Sequence, residues 1–204
     1  MTAYIWDLDG TLLDSYEVIV TAAHQAVNEA GVPHSREEVL RAVKGGSLTV
    51  YFKDTEARSG VPQDRLMERY RQITHAMDDR IPLMDGAAEA LESLRRKGAG
   101  HYVFTHRGSS AVPILKRLGI LGYFREVANL ETGLAAKPSG EGVRYLVDKY
   151  GLDPRATWYV GDRALDMLCG KDAGVRTLLL LPEDSPVKPT GFEDRVIRSL
   201  RELI

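Results

Sequence analysis

The chain has 204 residues, 44% of them hydrophobic and 27% charged, with a formal net charge of -2. That composition is ordinary for a soluble globular protein and gives room for one substantial core, or for a core plus a small accessory domain. The near-neutral balance argues against a nucleic-acid or anionic-membrane binder, the single Cys169 rules out an intrachain disulfide, and no apolar run is long enough to span a bilayer.

The chain opens on a short apolar strand, Ala3 to Trp6, that runs into Asp7-Leu8-Asp9-Gly10-Thr11. Alternation along a strand turns Asp7 and Asp9 toward one site while Leu8 points away. Two such charges at roughly 4 Å repel by about 4 kcal/mol at an effective dielectric of about 20. A bound cation or a retained proton must offset that repulsion. Gly10 permits a sharp turn, and Thr11 adds a hydroxyl and a backbone donor beside the acids. Asp7, Asp9 and Asp14 also interrupt any N-terminal apolar signal segment, so the expected location is cytoplasmic.

From Ser15 the period is helical, with Val18, Ile19, Ala22, Ala23, Ala26 and Val27 on one stripe, until Gly31-Val32-Pro33 ends it. Ser35-Arg36-Glu37-Glu38 reads as a capping box opening a second helix that stops near Lys44-Gly45-Gly46-Ser47. Further helical patterns cover about Thr49 to Ser59 and Gln63 to Asp78. With no strong strand pattern between Asp14 and Ile81, residues 15–81 are expected to be a helical insertion, flanked by a core of residues 1–14 and 82–204.

After Pro82 helices and strands alternate: helix Ala87 to Lys97, strand Gly100 to Thr105, helix Ser109 to Leu118, strand Phe124 to Ala128, helix Ser139 to Tyr150, strand Thr157 to Val160, helix Ala164 to Ala173, and a last buried strand, Val175 to Leu181. Such alternation, with several continuously apolar strands, predicts an α/β fold with a Rossmann-like parallel sheet covered on both faces. Ligands of such sheets bind beyond the carboxyl ends of the strands. Three polar features fall there. Thr105 closes a strand ahead of His106-Arg107-Gly108-Ser109-Ser110, whose hydroxyl and free N–H groups suit an anion. Lys137-Pro138 precedes the next helix and offers a point charge for phosphate. Gly161-Asp162-Arg163 and Asp166 follow a later strand, with the two acids on successive turns if the helix begins promptly. Cys169 fits a small core residue, the five histidines lack a paired zinc spacing, and Pro182 to Gly191 reads as a loop.

The order of these segments resembles the haloacid dehalogenase-like hydrolase superfamily, specifically its phosphatases with a helical cap inserted after the first strand. Asp7-Leu8-Asp9-Gly10-Thr11 matches the first motif, Thr105 the second, Lys137-Pro138 the third, and Gly161-Asp162-Arg163 with Asp166 the fourth; Gly170 to Gly174 is similar to the run that follows. The resemblance implies that Asp7 is the nucleophile and Asp9 the acid/base, with Thr105 and Lys137 holding the phosphoryl group. It implies Mg²⁺ bound by Asp7, the Asp9 backbone carbonyl and Asp162, with Asp166 in support. Two details depart from the pattern: Trp6 is bulkier than the usual residue, and His106-Arg107 replaces the more frequent Asn-containing pair. Both bear on substrate access, and His106 and Arg107 are candidate substrate contacts. In the cap, Lys44 beside Gly45-Gly46 is a candidate partner for a substrate carboxylate. The expected activity is Mg²⁺-dependent hydrolysis of a small, phosphoglycolate-like phosphorylated metabolite through an aspartyl phosphate. The alternatives are a phosphosugar mutase of the same fold and a catalytically silent binding module. A dehalogenase is disfavoured by the acid at Asp9.

Overall fold

The computed structural model describes residues 1–183 and 185–204. Its elements, in chain order, are β1 (Ala3–Trp6), α1 (Tyr16–Glu29), α2 (Arg36–Gly45), α3 (Leu48–Ser59), α4 (Gln63–His75), α5 (Ala87–Arg96), β2 (Gly100–Phe104), α6 (Ala111–Arg117), β3 (Phe124–Ala128), α7 (Glu141–Tyr150), β4 (Thr157–Gly161), α8 (Ala164–Asp172), β5 (Arg176–Leu180) and β6 (Arg195–Ile197). Short 3-10 turns join several of them. The chain divides into two compact units, Met1–Asp14 with Pro82–Ile204, and Ser15–Ile81. No helix among the described residues is long and apolar enough to cross a membrane.

The smaller unit is all helical. The apolar stripe of α1 buries Ile19, Val20, Ala23 and Val27 against Val39 and Val43 of α2, Tyr51 and Phe52 of α3 and Leu66 of α4. Ser35 caps α2 as its sequence predicts: its hydroxyl accepts from Glu38 N while the Glu38 carboxylate accepts from Ser35 N. Lys44, in the last turn of α2, sets its ammonium 4.2 Å from the centre of the Tyr16 ring.

The larger unit is built on a six-stranded parallel sheet of order β3-β2-β1-β4-β5-β6. This is the doubly wound order, with β1 at the centre. In β2 all five residues are buried, as expected of a strand covered on both faces. Two register pairs, Trp6 with Val103 and Trp6 with Val160, bring β1, β2 and β4 to a common carboxyl edge. Residues leaving these three strands therefore start side by side.

Three expectations are corrected. The sheet does not end at the strand near Val175–Leu181: β6 follows it, held where Leu181 N donates to Ile197 O and Asp194 N to Thr177 O. The helix expected from Ser109 begins at Ala111, because Ser109 and Ser110 lie in a turn closed by Ala111 N on Gly108 O. Asp162 and Asp166 do not occupy successive helical turns: α8 starts at Ala164, which leaves Asp162 at the strand end and Asp166 in the first turn. Of the Pro182 to Gly191 loop, Asp184 lies outside the described residues.

Candidate active site

Each polar feature of the carboxyl edge is positioned by backbone that the sheet fixes. Asp7 follows β1, and its N–H donates to Val160 O at 2.9 Å, extending the strand pairing by one residue. The chain then winds tightly. Thr11, Leu12 and Leu13 N–H groups all donate to Leu8 O, and Gly10 adopts φ 80°, a left-handed conformation that favours glycine. Asp166 sits in the first turn of α8, where its Oδ2 accepts from Arg163 N at 3.1 Å, a favourable place for a carboxylate. A side chain on Gly161 would collide with that of Asp166, so the absence of a Cβ there admits the carboxylate to the strand end.

Lys137 connects the buried acids. Its ammonium donates to Asp7 Oδ1 at 2.6 Å and to Asp166 Oδ1 at 2.7 Å, with the lysine and both carboxylates buried. The rings of Phe104 and Tyr159 lie 5.7 and 5.4 Å from Nζ and help to exclude water. Burial pushes the Asp7 carboxyl up to about 6 even though Lys137 pulls it down. At Asp166 burial acts in the same upward sense, but Lys137 and Arg163 outweigh it and hold the group below the usual range. Lys137 itself is raised: burial disfavours its charge, and Asp166 and Asp7 more than compensate.

An oxygen from each of Asp7, Asp162 and Asp166 lies within 4.8 Å of the other two. Asp7 Oδ2 is buried without a hydrogen-bond partner among the described residues. A buried set of carboxylate oxygens that includes such an oxygen matches the donor chemistry of a hard divalent cation. The Asp9 carboxylate is not in this cluster. It accepts from Arg107, with Nη2 at 2.6 Å and Nε at 3.1 Å from Oδ1, and Nε at 3.2 Å from Oδ2. The offset that the paired acids require is thus supplied here by two side chains, an ammonium for Asp7 and a guanidinium for Asp9.

The segment after β2 packs against the same edge. Thr105 is buried, and its Oγ1 accepts from Arg107 N at 3.1 Å. His106 accepts from Lys137 N at 2.7 Å through Nε2, which fixes this nitrogen as unprotonated. Burial, then the charges of Lys137 and Arg163, lower the His106 pKa to about 4. His106 therefore braces the lysine loop in its neutral form. Cys169 is a core residue whose thiol donates to Ser139 O at 3.1 Å, with its pKa pushed up to about 12 by burial.

The structure thus brings Asp7, Thr105, Lys137, His106, Asp162 and Asp166 to one sheet edge, with Asp9 and Arg107 paired beside Thr105. Lys44 belongs to the helical unit, where its ammonium is engaged with Tyr16. Two participants carry no role in the sequence reading. The Tyr159 hydroxyl donates to Phe104 O at 3.2 Å and lies 3.4 Å from Asp166 Oδ1. Arg163 places Nε 3.8 Å from Asp162 Oδ1. A tyrosine inside an otherwise apolar strand is the available signal for the first, because its hydroxyl requires a buried partner.

A family model described as haloacid dehalogenase-like hydrolase matches residues 4–180. The chain is 31% identical over 180 residues to pyrophosphatase PpaX of Bacillus velezensis, covering 87% of this chain and 82% of that one. It is 30% identical over 214 residues to phosphoglycolate phosphatase of Vibrio parahaemolyticus, covering 98% and 92%. Among solved structures, a haloacid dehalogenase-like hydrolase from Bacteroides fragilis superposes with a TM-score of 0.87 at 21% identity, covering 100% of this chain and 99% of that one. That last likeness concerns the fold alone.

Proposed function

The chain belongs to the haloacid dehalogenase-like hydrolase family, and from that premise we propose that it is a Mg²⁺-dependent phosphatase of a small, phosphoglycolate-like metabolite. The observation that carries this reading is the buried Asp7, whose one oxygen is held by Lys137 while the other lacks a hydrogen-bond partner among the described residues, beside the carboxylates of Asp162 and Asp166. Phosphoglycolate and pyrophosphate, the compounds named for two relatives, are both small and anionic.

In this reading an Asp7 carboxylate oxygen attacks phosphorus in line with the ester oxygen. The P–O ester bond breaks, and the departing oxygen takes a proton from Asp9. The aspartyl phosphate is then attacked by water, which gives its proton to the Asp9 carboxylate. The bond between phosphorus and Asp7 breaks and inorganic phosphate leaves. Lys137 and Thr105 hold the equatorial oxygens and offset the spreading charge. Asp7, Asp162 and the Asp9 backbone carbonyl would hold Mg²⁺, with Asp166 supporting. When bound, the ion neutralises charge between the incoming phosphate and the carboxylates. Residues 15–81 act as a cap that contributes to substrate selection, with Lys44 its candidate substrate contact, and His106 and Arg107 are contacts from the sheet edge.

The test is phosphate release from a panel of phosphorylated metabolites, with Mg²⁺ and with chelator. Release is expected from a small anionic member of the panel, to be abolished by chelation. Asp7→Asn should cut turnover by about 10⁴ or more and prevent phosphoenzyme formation. Full turnover with chelator removes the metal from the reading, and near-normal turnover by Asp7→Asn removes the covalent step.

A further inference from the structure

Asp9 and Arg107 are two of the groups nearest the proposed chemistry, and the structure sets them against each other. Arg107 approaches both carboxylate oxygens of Asp9, the pair being largely buried with side-chain exposures of 7% for Arg107 and 19% for Asp9. An acid/base group must turn an oxygen toward the substrate, and here both oxygens face one guanidinium. The planar fork of arginine matches carboxylates and phosphates in general. Anything with the same anionic geometry competes with Asp9 for it. The backbone at this point is fixed, since Arg107 N donates to Thr105 Oγ1 and Leu130 N donates to Arg107 O. Exchange of partner is therefore a side-chain movement, and Ser110 Oγ, 3.3 Å from Nη1, lies along the guanidinium as a further acceptor.

We propose that Arg107 reads a second anionic group on the substrate, and that its fork passes from Asp9 to that group on binding, which frees the Asp9 carboxylate for the reaction. The inference rests on the phosphatase reading above and narrows its substrates to phosphoryl compounds with a neighbouring carboxylate or second phosphoryl group. A substrate without that group leaves Asp9 engaged, so the deficit falls on kcat and not only on KM. Binding is coupled to chemistry through a single exchange of ion pairs, and the fraction of enzyme with Asp9 released sets the rate.

The experiment compares three substrates: phosphoglycolate for a carboxylate, pyrophosphate for a second phosphoryl group, and phenyl phosphate for neither. Wild-type kcat should be at least about tenfold higher on one or both of the first two than on phenyl phosphate. Arg107→Ala should lower kcat/KM on the favoured substrate by about 10² while raising kcat on phenyl phosphate several-fold, since the guanidinium no longer competes for the Asp9 carboxylate. Arg107→Lys, which keeps charge but not the fork, should fall between. In wild-type protein, added glycolate should raise turnover of phenyl phosphate by supplying the carboxylate separately. Equal losses on all three substrates in Arg107→Ala, or no response of phenyl phosphate turnover to glycolate, would overturn the exchange. If wild-type protein releases phosphate neither from these three nor from any member of the wider panel, the phosphatase reading fails, and calorimetric binding decides the role of Arg107. Binding of phosphoglycolate or pyrophosphate at least about tenfold tighter than phenyl phosphate, lost in Arg107→Ala, supports it; equal binding of all three overturns it.

Discussion

The carboxyl edge of the sheet and the helical unit of residues 15–81 use the same charged side chains in opposite ways. At the edge, Lys137 and its two carboxylate partners have lost contact with water. In the helical unit the pairs Arg36–Glu17 and Arg69–Glu29 lie on the surface, with side chains between 41% and 81% exposed. Their distances are nearly the same, 2.7 Å for each of the surface pairs and 2.6 to 2.7 Å at Lys137. Distance therefore says little about what an ion pair contributes. What differs is the cost of leaving one partner behind: a surface charge returns to water, and a buried one has nowhere to go.

The sharpest way to break the comparison is to remove the buried cation. Lys137→Met should destabilise the protein by about 3–5 kcal/mol, because Asp7 and Asp166 are left uncompensated, and urea unfolding reads the loss. Lys137→Arg should not restore stability, since a guanidinium does not fit a pocket shaped around an ammonium. A loss below about 1 kcal/mol for Lys137→Met would place this triad with the surface pairs.

A smaller effect is expected from a buried group held neutral. His101 accepts from Trp6 Nε1 at 3.1 Å through Nδ1, and burial lowers its pKa to about 4. Its native pKa lies below the value in the unfolded chain, so unfolding takes up a proton as the pH drops. Its contribution to stability is complete above about pH 6.5 and is lost as the pH falls toward about 4. Denaturant titrations at pH 7 and 5 should differ by about 2 kcal/mol from this group, and His101→Gln should flatten the dependence. Equal stability at both pH values in wild-type protein would contradict the buried neutral ring.

The smallest effect belongs to the surface. Arg69→Ala breaks a two-point contact with Glu29, yet the shift in unfolding midpoint should be too small to resolve, and smaller still at high salt. A large loss there would show that exposure is the wrong variable.

Much of the fold was legible in the sequence because its signals are local. Apolar runs punctuated by glycine mark four of the six strands, β1, β2, β4 and β5, and Ser35 with Glu38 announces a helix start. β6 escaped because three residues, Arg195 to Ile197, show no period, and what fixes them is pairing with β5. Asp7, Asp9, Thr105, Lys137, Asp162 and Asp166 could be named because each follows a strand, precedes a helix or lies in a helix's first turn. Their pairing could not: which cation meets which acid depends on contacts 130 residues apart for Lys137 with Asp7 and 98 apart for Arg107 with Asp9. The same limit hid Tyr159, whose role appears only once Asp166 is seen against its hydroxyl.

The central position of β1 has a consequence for the growing chain. Ala3 pairs with Gly100 on one side and Thr157 on the other, so β1 is translated before both of its neighbours and must wait for them. At typical synthesis speeds of about 5–20 residues per second, the second neighbour emerges roughly 8–30 s after the first strand. Over that interval the sequence of the helical unit, Ser15–Ile81, is already complete, while Asp7 remains hydrated. Lys137 is translated before β4, so the cation that Asp7 needs in the interior is on hand by the time the sheet closes over it.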